Sequence, residues 1–371
     1  MTRYRLTTAF ILAGLIAAAS ATAADDNSNR PVTLAVFGDW PYSQVLLDTA
    51  KLLVDSVNSD TQIDWVMHVG DVHSGSMPCT SAGILPPIPA SSPGWNQAVY
   101  FQFQQFKAPV VYTPGDNEWA DCHKTKEFAS GAPLKELASV RSLFFARPGH
   151  TLGLEDKQVW SQAKYFDPDF PADAQYVENV MWMDRRVLFA TFNMPGGSNN
   201  DNFDHAPWTN GFGNEAAQRN EEAQRNAADI RWLETAFATA EHAPRAKAVV
   251  LGLQADMWDP EAIAAGGAGL DHYTAFVRRL ADLAVHFGGP VLLLNGDTHK
   301  FFSDKPLANP GSATGLIHQT QPVPNLTRTV VQGSTNAPAE WLRLTVDTRK
   351  RQPFSWTNVP YCADPNTNVC P

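Results

Sequence analysis

Four times in this chain an apolar run stops at Gly-Asp: Gly38-Asp39, Gly70-Asp71, Gly115-Asp116 and Gly296-Asp297. One such dipeptide is an ordinary turn signal. The same ending on four separate apolar runs describes buried strands that each close in a tight turn and hand an acid to one edge of a sheet. Residues 32–37 are the first run and 63–69 the second. Between them, Val45, Leu46, Leu53, Val54 and Val57 form a helical stripe over 44–57. That β-α-β order predicts a parallel pair with both acids at the same edge, and open α/β sheets build their sites outside the carboxyl ends of the strands. Further strands are predicted over 110–113, 187–192, 248–253, 291–294 and 341–346. They deliver Asp116-Asn117-Glu118, Gln254-Ala255-Asp256 and Asp297-Thr298-His299 to the same kind of position. Helices are predicted over 95–106, 135–145, 215–240 and 273–287, the third with Ala223, Ala227, Ile230, Leu233 and Phe237 on its buried face. Residues 76–94 read as a long loop, and 147–180 show no clear periodicity.

Nothing in the composition marks a second domain. With 371 residues, 44% of them hydrophobic, the chain can bury a large core. Its net charge of −10 argues against a nucleic-acid or anionic-membrane partner, so a protein of this kind that handles anions needs local positive charge, which a bound metal supplies. Arg3 and Arg5, an apolar stretch over 8–19 and Ala21-Thr22-Ala23 predict a secretory signal over 1–23, and hence a periplasmic or extracellular protein. The organisation expected is signal 1–23, linker 24–31, one domain over 32–348 and a tail over 349–371. No later segment looks transmembrane. Cys79, Cys122, Cys362 and Cys370 suit an oxidising compartment. Of the three pairings open to them, Cys79–Cys122 and Cys362–Cys370 are favoured, because the first joins two loops that follow Gly-Asp strand ends and the second closes a short tail.

Five carboxylates, Asp39, Asp71, Asp116, Asp256 and Asp297, with His299 beside the last, repel one another unless cations or protons intervene. Divalent metals are the natural counter-charge. In their order along the chain these segments resemble the calcineurin-like metallophosphoesterases, a family that includes the purple acid phosphatases. That family carries Asp-x-His, Gly-Asp, Gly-Asn-His-Glu/Asp, a lone His after an apolar strand, and Gly-His-x-His; the resemblance extends over residues 32–302. It implies a four-layer α/β/β/α sandwich of two mixed sheets with two divalent metals at the strand ends. It also implies hydrolysis of small phosphate mono- or diesters by a metal-bound hydroxide.

By that resemblance Asp39 is a metal ligand and Asp71 the bridging carboxylate. Asp116 replaces an Asn ligand, and Asn117 stands where a His assists the leaving group, which leaves Glu118 as the remaining acid. Ala255 takes the place of the lone His, with Gln254 and Asp256 as neighbours able to substitute. Asp297 replaces the first His of the last motif and His299 keeps the second. Pro41 stands where the first motif has His, and Ser74 where purple acid phosphatases have a Tyr ligand, with Tyr42 as a stand-in. One metal is expected on Asp39, Asp71 and His299, the other on Asp71, Asp116, Asp297 and Asp256. So many oxygen ligands favour Mg, Mn or Ca over Zn or Fe. The alternative is a catalytically weak or inactive metal- or phosphate-binding protein on the same fold. Outside this set, His68 reads as a core histidine, His73 as a weak candidate for substrate contact and Lys124 as a solvated lysine.

Overall fold

Alternation along the first strand separates two apolar layers. In β1 (Val32–Phe37), Val32, Leu34 and Val36 face one cluster, while Ala35 and Phe37 face another. Both faces are covered, so the strand reads as an apolar run interrupted only by Thr33. This description comes from a computed structural model and covers residues 30–79, 94–200, 207–208, 213–242 and 244–365. The predicted signal, nearly all of the linker and Cys370 lie outside the described residues.

Sheet one is ordered β12–β11–β1–β2–β3, with β2 (Trp65–His68), β3 (Val110–Tyr112), β11 (Ala339–Val346) and β12 (Phe354–Cys362). In it β1, β2 and β3 are parallel, and β11 returns antiparallel to β1. Sheet two is ordered β4–β5–β6–β7–β8–β10–β9. Its members are β4 (Trp160–Ser161), β5 (Val180–Asp184), β6 (Val187–Thr191), β7 (Ala248–Gly252), β8 (Val291–Asn295), β9 (Phe302–Asp304) and β10 (Leu326–Val330). Here β6, β7, β8 and β10 are parallel.

The sheets pack face to face through Val32, Leu34 and Met67 on one side and Phe189, Val250, Leu292 and Leu294 on the other. Helices α1 (Gln44–Asp48), α2 (Ala50–Ser59), α3 (Trp95–Phe103) and α4 (Pro133–Phe144) cover the outer face of sheet one. The outer face of sheet two is covered by α5 (Glu215–Glu241) and α6 (Thr274–Phe287). The architecture is the expected four-layer α/β/β/α sandwich of two mixed sheets. Among the described residues no helix is long and apolar enough to cross a membrane.

Three expectations change. The helix over 44–57 is two helices, because the Thr49 hydroxyl bonds back to the Val45 carbonyl and the backbone there is not helical (φ −100°, ψ 13°). The tail from 349 instead supplies β12, an edge strand registered against β11 from Val346↔Phe354 to Ala339↔Cys362. On α5, Ala223 is exposed, and the buried face includes Arg225 and Asp229. The Cys79–Cys122 disulfide is present, with the two Cα atoms 5.8 Å apart. The second predicted pair reaches outside the described residues through Cys370.

Candidate metal centre

The carboxyl ends of the parallel strands of both sheets meet along one line. Backbone and side-chain bonds cross it: the Asp297 N–H donates to Asp39 Oδ1 (3.2 Å) and the Thr113 hydroxyl to the Phe192 carbonyl (2.7 Å). The turns that aim the acids are sharp. Asp39, Asp71, Asp297 and His299 all have left-handed backbone, with φ of 49°, 61°, 73° and 63°. Such conformations in non-glycine residues concentrate at functional sites.

Two of the Gly-Asp glycines, Gly115 and Gly296, make room for an acid on another strand end. A methyl group at Gly115 would lie 2.0 Å from Asp71 Oδ1, and one at Gly296 would lie 2.6 Å from Asp39 Oδ2.

Asp39, Asp71 and His299 present ligand atoms that all lie within 4.8 Å of one another. His299 Nε2 is 3.1 Å from Asp39 Oδ1. The Tyr42 hydroxyl sits among them, 2.8 Å from Asp71 Oδ2, 3.1 Å from Asp39 Oδ1 and 3.3 Å from His299 Nε2. Asp39 Oδ2 is buried with no hydrogen-bond partner.

Burial, then the charges of Asp116, Glu118 and Asp39, push the Asp71 carboxyl well above its usual range. Burial and Asp116 do the same to Asp297, and burial and Asp121 raise Asp116. Burial pulls His299 down, but Asp39, then Asp297 and Asp116, outweigh it and push the imidazole up to about 9. These shifts mark a set of buried acids whose ionised forms their protein neighbours do not offset. An orphaned buried carboxylate oxygen, a second carboxylate, an imidazole nitrogen and a phenol oxygen in one pocket fit a divalent cation.

The other expected residues are placed as follows. Asn117 Nδ2 donates to Asp71 Oδ2 (3.1 Å), to the His73 carbonyl (3.1 Å) and to the Tyr42 hydroxyl (3.2 Å). Glu118 is fully buried; one oxygen accepts from the Val72 N–H (2.9 Å) and the Tyr112 hydroxyl (2.8 Å), the other from the Gly115 N–H (3.1 Å). It braces the two loops that carry Asp71 and Asp116. Asp116 Oδ1 accepts from Gln254 Nε2 at 3.1 Å.

The carboxylate of Asp256 is taken elsewhere. One oxygen pairs with the Arg328 guanidinium and the Trp258 N–H, and the other accepts from the Thr298 hydroxyl (2.5 Å). What Asp256 gives the cluster is its backbone N–H, 2.9 Å from Asp297 Oδ2. His68 is a buried core histidine on the Trp40 carbonyl (3.0 Å), as expected. Burial lowers His73 to about 4 and keeps it neutral, with Nδ1 on the Ser74 carbonyl.

Sequence reasoning underrated Lys124 and passed over Lys126. Both ammonium groups pair with the buried Asp121 carboxylate, Lys126 at 2.8 Å. A methyl at Gly197 would lie 3.4 Å from Asp116 Oδ2 and 3.5 Å from Lys124 Nζ, so acid and ammonium border the same turn. The signal available was Lys-x-Lys two residues past Cys122, on the loop that begins at Asp116.

The profile of one protein family, calcineurin-like phosphoesterase, matches residues 32–252. This chain belongs to the calcineurin-like phosphoesterase family. The matched segment contains Asp39, Asp71 and Asp116, while Gln254, Asp297 and His299 lie beyond it and join the centre through the fold. No curated protein sequence matches. Among solved structures, the chain is similar to one described as "GAP50 the anchor in the inner membrane complex of Plasmodium". The two share 8% identity over 90% of each chain, with a TM-score of 0.42, a level that carries no functional argument.

Proposed function

We propose that this family member is a secreted, divalent-cation-dependent phosphoesterase acting on small phosphate mono- or diesters. The observation that carries the reading is the convergence of Asp39, Asp71 and His299 ligand atoms within 4.8 Å, beside a buried Asp39 oxygen with no partner. A divalent cation bound there supplies Lewis-acid polarisation of a phosphoryl oxygen and a water of lowered pKa.

The chain's own residues do the rest. Lys124 and Lys126 border the cluster and offer an ester phosphate two ammonium groups; both pair with Asp121, and Lys126 also lies 3.9 Å from Glu127. Asn117 fixes Asp71 and Tyr42 but carries no transferable proton at neutral pH. The oxygens of Glu118 are occupied by donors of the two loops. The leaving group therefore gets no strong general acid, a loss typically worth ~10²–10⁴-fold in rate. Esters with good leaving groups are the expected substrates. The predicted signal and the Cys79–Cys122 bond support secretion.

The test is hydrolysis of aryl phosphate mono- and diesters with Mg²⁺ or Mn²⁺, against a chelated control and an Asp71→Asn variant. Cation-dependent turnover that disappears in the variant is expected, and turnover that survives it would sink the assignment. A second reading, a binding protein without turnover, draws on the three donors already on Asp71 Oδ2: Tyr42, Asn117 and Gln254. Calorimetric cation binding with no hydrolysis of even activated aryl esters would select it.

A further inference from the structure

Asp71, Asp116 and Asp297 form a second acidic flank beside the Asp39–His299 pair, and that flank already holds a donor of its own. Gln254 is fully buried at the end of β7. Its Cβ and Cγ lie 2.5 and 2.6 Å from where a methyl on Gly70 would stand, so the side chain is laid against that glycine, whose φ is +97°. Its Oε1 accepts the Gly196 N–H. With the oxygen held there, Nε2 faces Asp71 Oδ2 at 3.2 Å and Asp116 Oδ1 at 3.1 Å.

The amide orientation is assigned from its partners: the reverse would set an oxygen against two carboxylates and an NH₂ against an N–H. An amide NH₂ has no lone pair to give a cation. Here it lies within hydrogen-bond reach of both carboxylates that would have to share one. Swinging the side chain away would strip the buried Gly196 N–H of its acceptor.

Most of the other groups near that flank are also absent or partly engaged. Ala255 offers no ligand, the Asp256 carboxylate is on Arg328 and Thr298, and Asp297 Oδ2 accepts the Asp256 N–H. We infer that this chain binds one divalent cation, on Asp39, Asp71 and His299, and that the Gln254 amide stands where a second would otherwise sit between Asp71 and Asp116. The inference rests on the cation-dependent reading proposed above.

Metal-stripped full-length protein titrated with Mn²⁺ and counted by native mass spectrometry, with calorimetry in parallel, tests it. One ion per chain is expected for the wild type and two for Gln254→Glu, in which a carboxylate keeps the Gly196 contact and turns an oxygen toward Asp71 and Asp116. Two ions on the wild type would overturn the inference, as would a Gln254→Glu protein that folds and still takes one. If the variant does not fold, the wild-type count decides alone. One bound ion without hydrolysis of any ester would sink the phosphoesterase reading and leave the count standing. Two ions with hydrolysis would do the opposite, and no bound ion would remove both.

Discussion

At the scale of single residues, the centre depends as much on missing side chains as on carboxylates. A Cβ at Gly115 would meet Asp71 at its Oδ1 (2.0 Å) and also at its backbone nitrogen (2.7 Å), so no rotation of a flexible group relieves the clash. Gly115→Ala is therefore expected to displace Asp71, to weaken cation binding at least tenfold, and to destabilise the protein by about 1–3 kcal/mol, as overpacking does. Gly311→Ala, where the nearest atom is 3.5 Å away, is the silent control. Urea melts and cation titrations of the pair check this; unchanged affinity in Gly115→Ala would mean that Asp71 does not depend on that gap. The Gly-Asp endings were legible in the sequence as turns bearing acids. That Gly115 faces Asp71 and Gly296 faces Asp39, each across to another strand end, was not, because those pairings exist only once the strands lie side by side. Asp256 illustrates the same limit: it sits on a strand end like the other acids, and its partner Arg328 lies far along the chain inside β10.

Among the elements, the turn between β6 and α5 is the least ordinary. Gly197, Ser198, Asn199 and Asn200 are consecutive left-handed residues, with φ of 57°, 60°, 58° and 66°. L-residues visit that region singly, at a cost of roughly 1–2 kcal/mol each, so a run of them needs outside support. Arg225 of α5 provides it, donating to the Asn193 carbonyl (3.1 Å), the Asn199 side chain (2.5 Å) and the Asn199 carbonyl (2.8 Å), with Glu221 balancing its charge. The turn in turn sets Gly196 against Gln254 and Asp297. Arg225→Met is expected to cost about 3–5 kcal/mol, the range for breaking a buried pair, and to speed amide exchange across residues 196–200. Arg225→Lys should recover part of the stability, since a single ammonium cannot span both carbonyls. Exchange rates over this segment that match wild type in the Met variant would show that the turn holds itself. The helix was plain from its periodicity, but its buried face was not. Alanines fit either side of a helix, and Arg225 and Asp229 are buried by partners on other elements.

For the whole molecule, the strands that feed the centre were readable because each is an apolar run closed by a turn. The edges were harder: β12 alternates between half-buried and exposed residues, and β9 and β10 mix polar groups with apolar ones, so neither pattern separates a strand from a loop. Because Asp39 and Asp71 belong to one sheet and His299 to the other, a bound cation ties the two together. It should stabilise the folded protein by about 2.7 kcal/mol at a hundredfold excess over its Kd, or very roughly 2–4 °C of Tm per kcal/mol, the scale for somewhat shorter chains. Thermal melts with Mg²⁺ or Mn²⁺ against a chelator measure it, and coincident curves would mean that no such cation is held. Synthesis adds a time order to this arrangement. Asp39 and Asp71 are made early, His299 late, and β11, which must pair with β1, later still. A half-made chain thus owns two of the ligands and no place to hold an ion. Capture of the ion has to wait for the loop after β8 to bring in His299, and the free metal of the compartment sets how firmly a newly finished molecule is kept from coming undone.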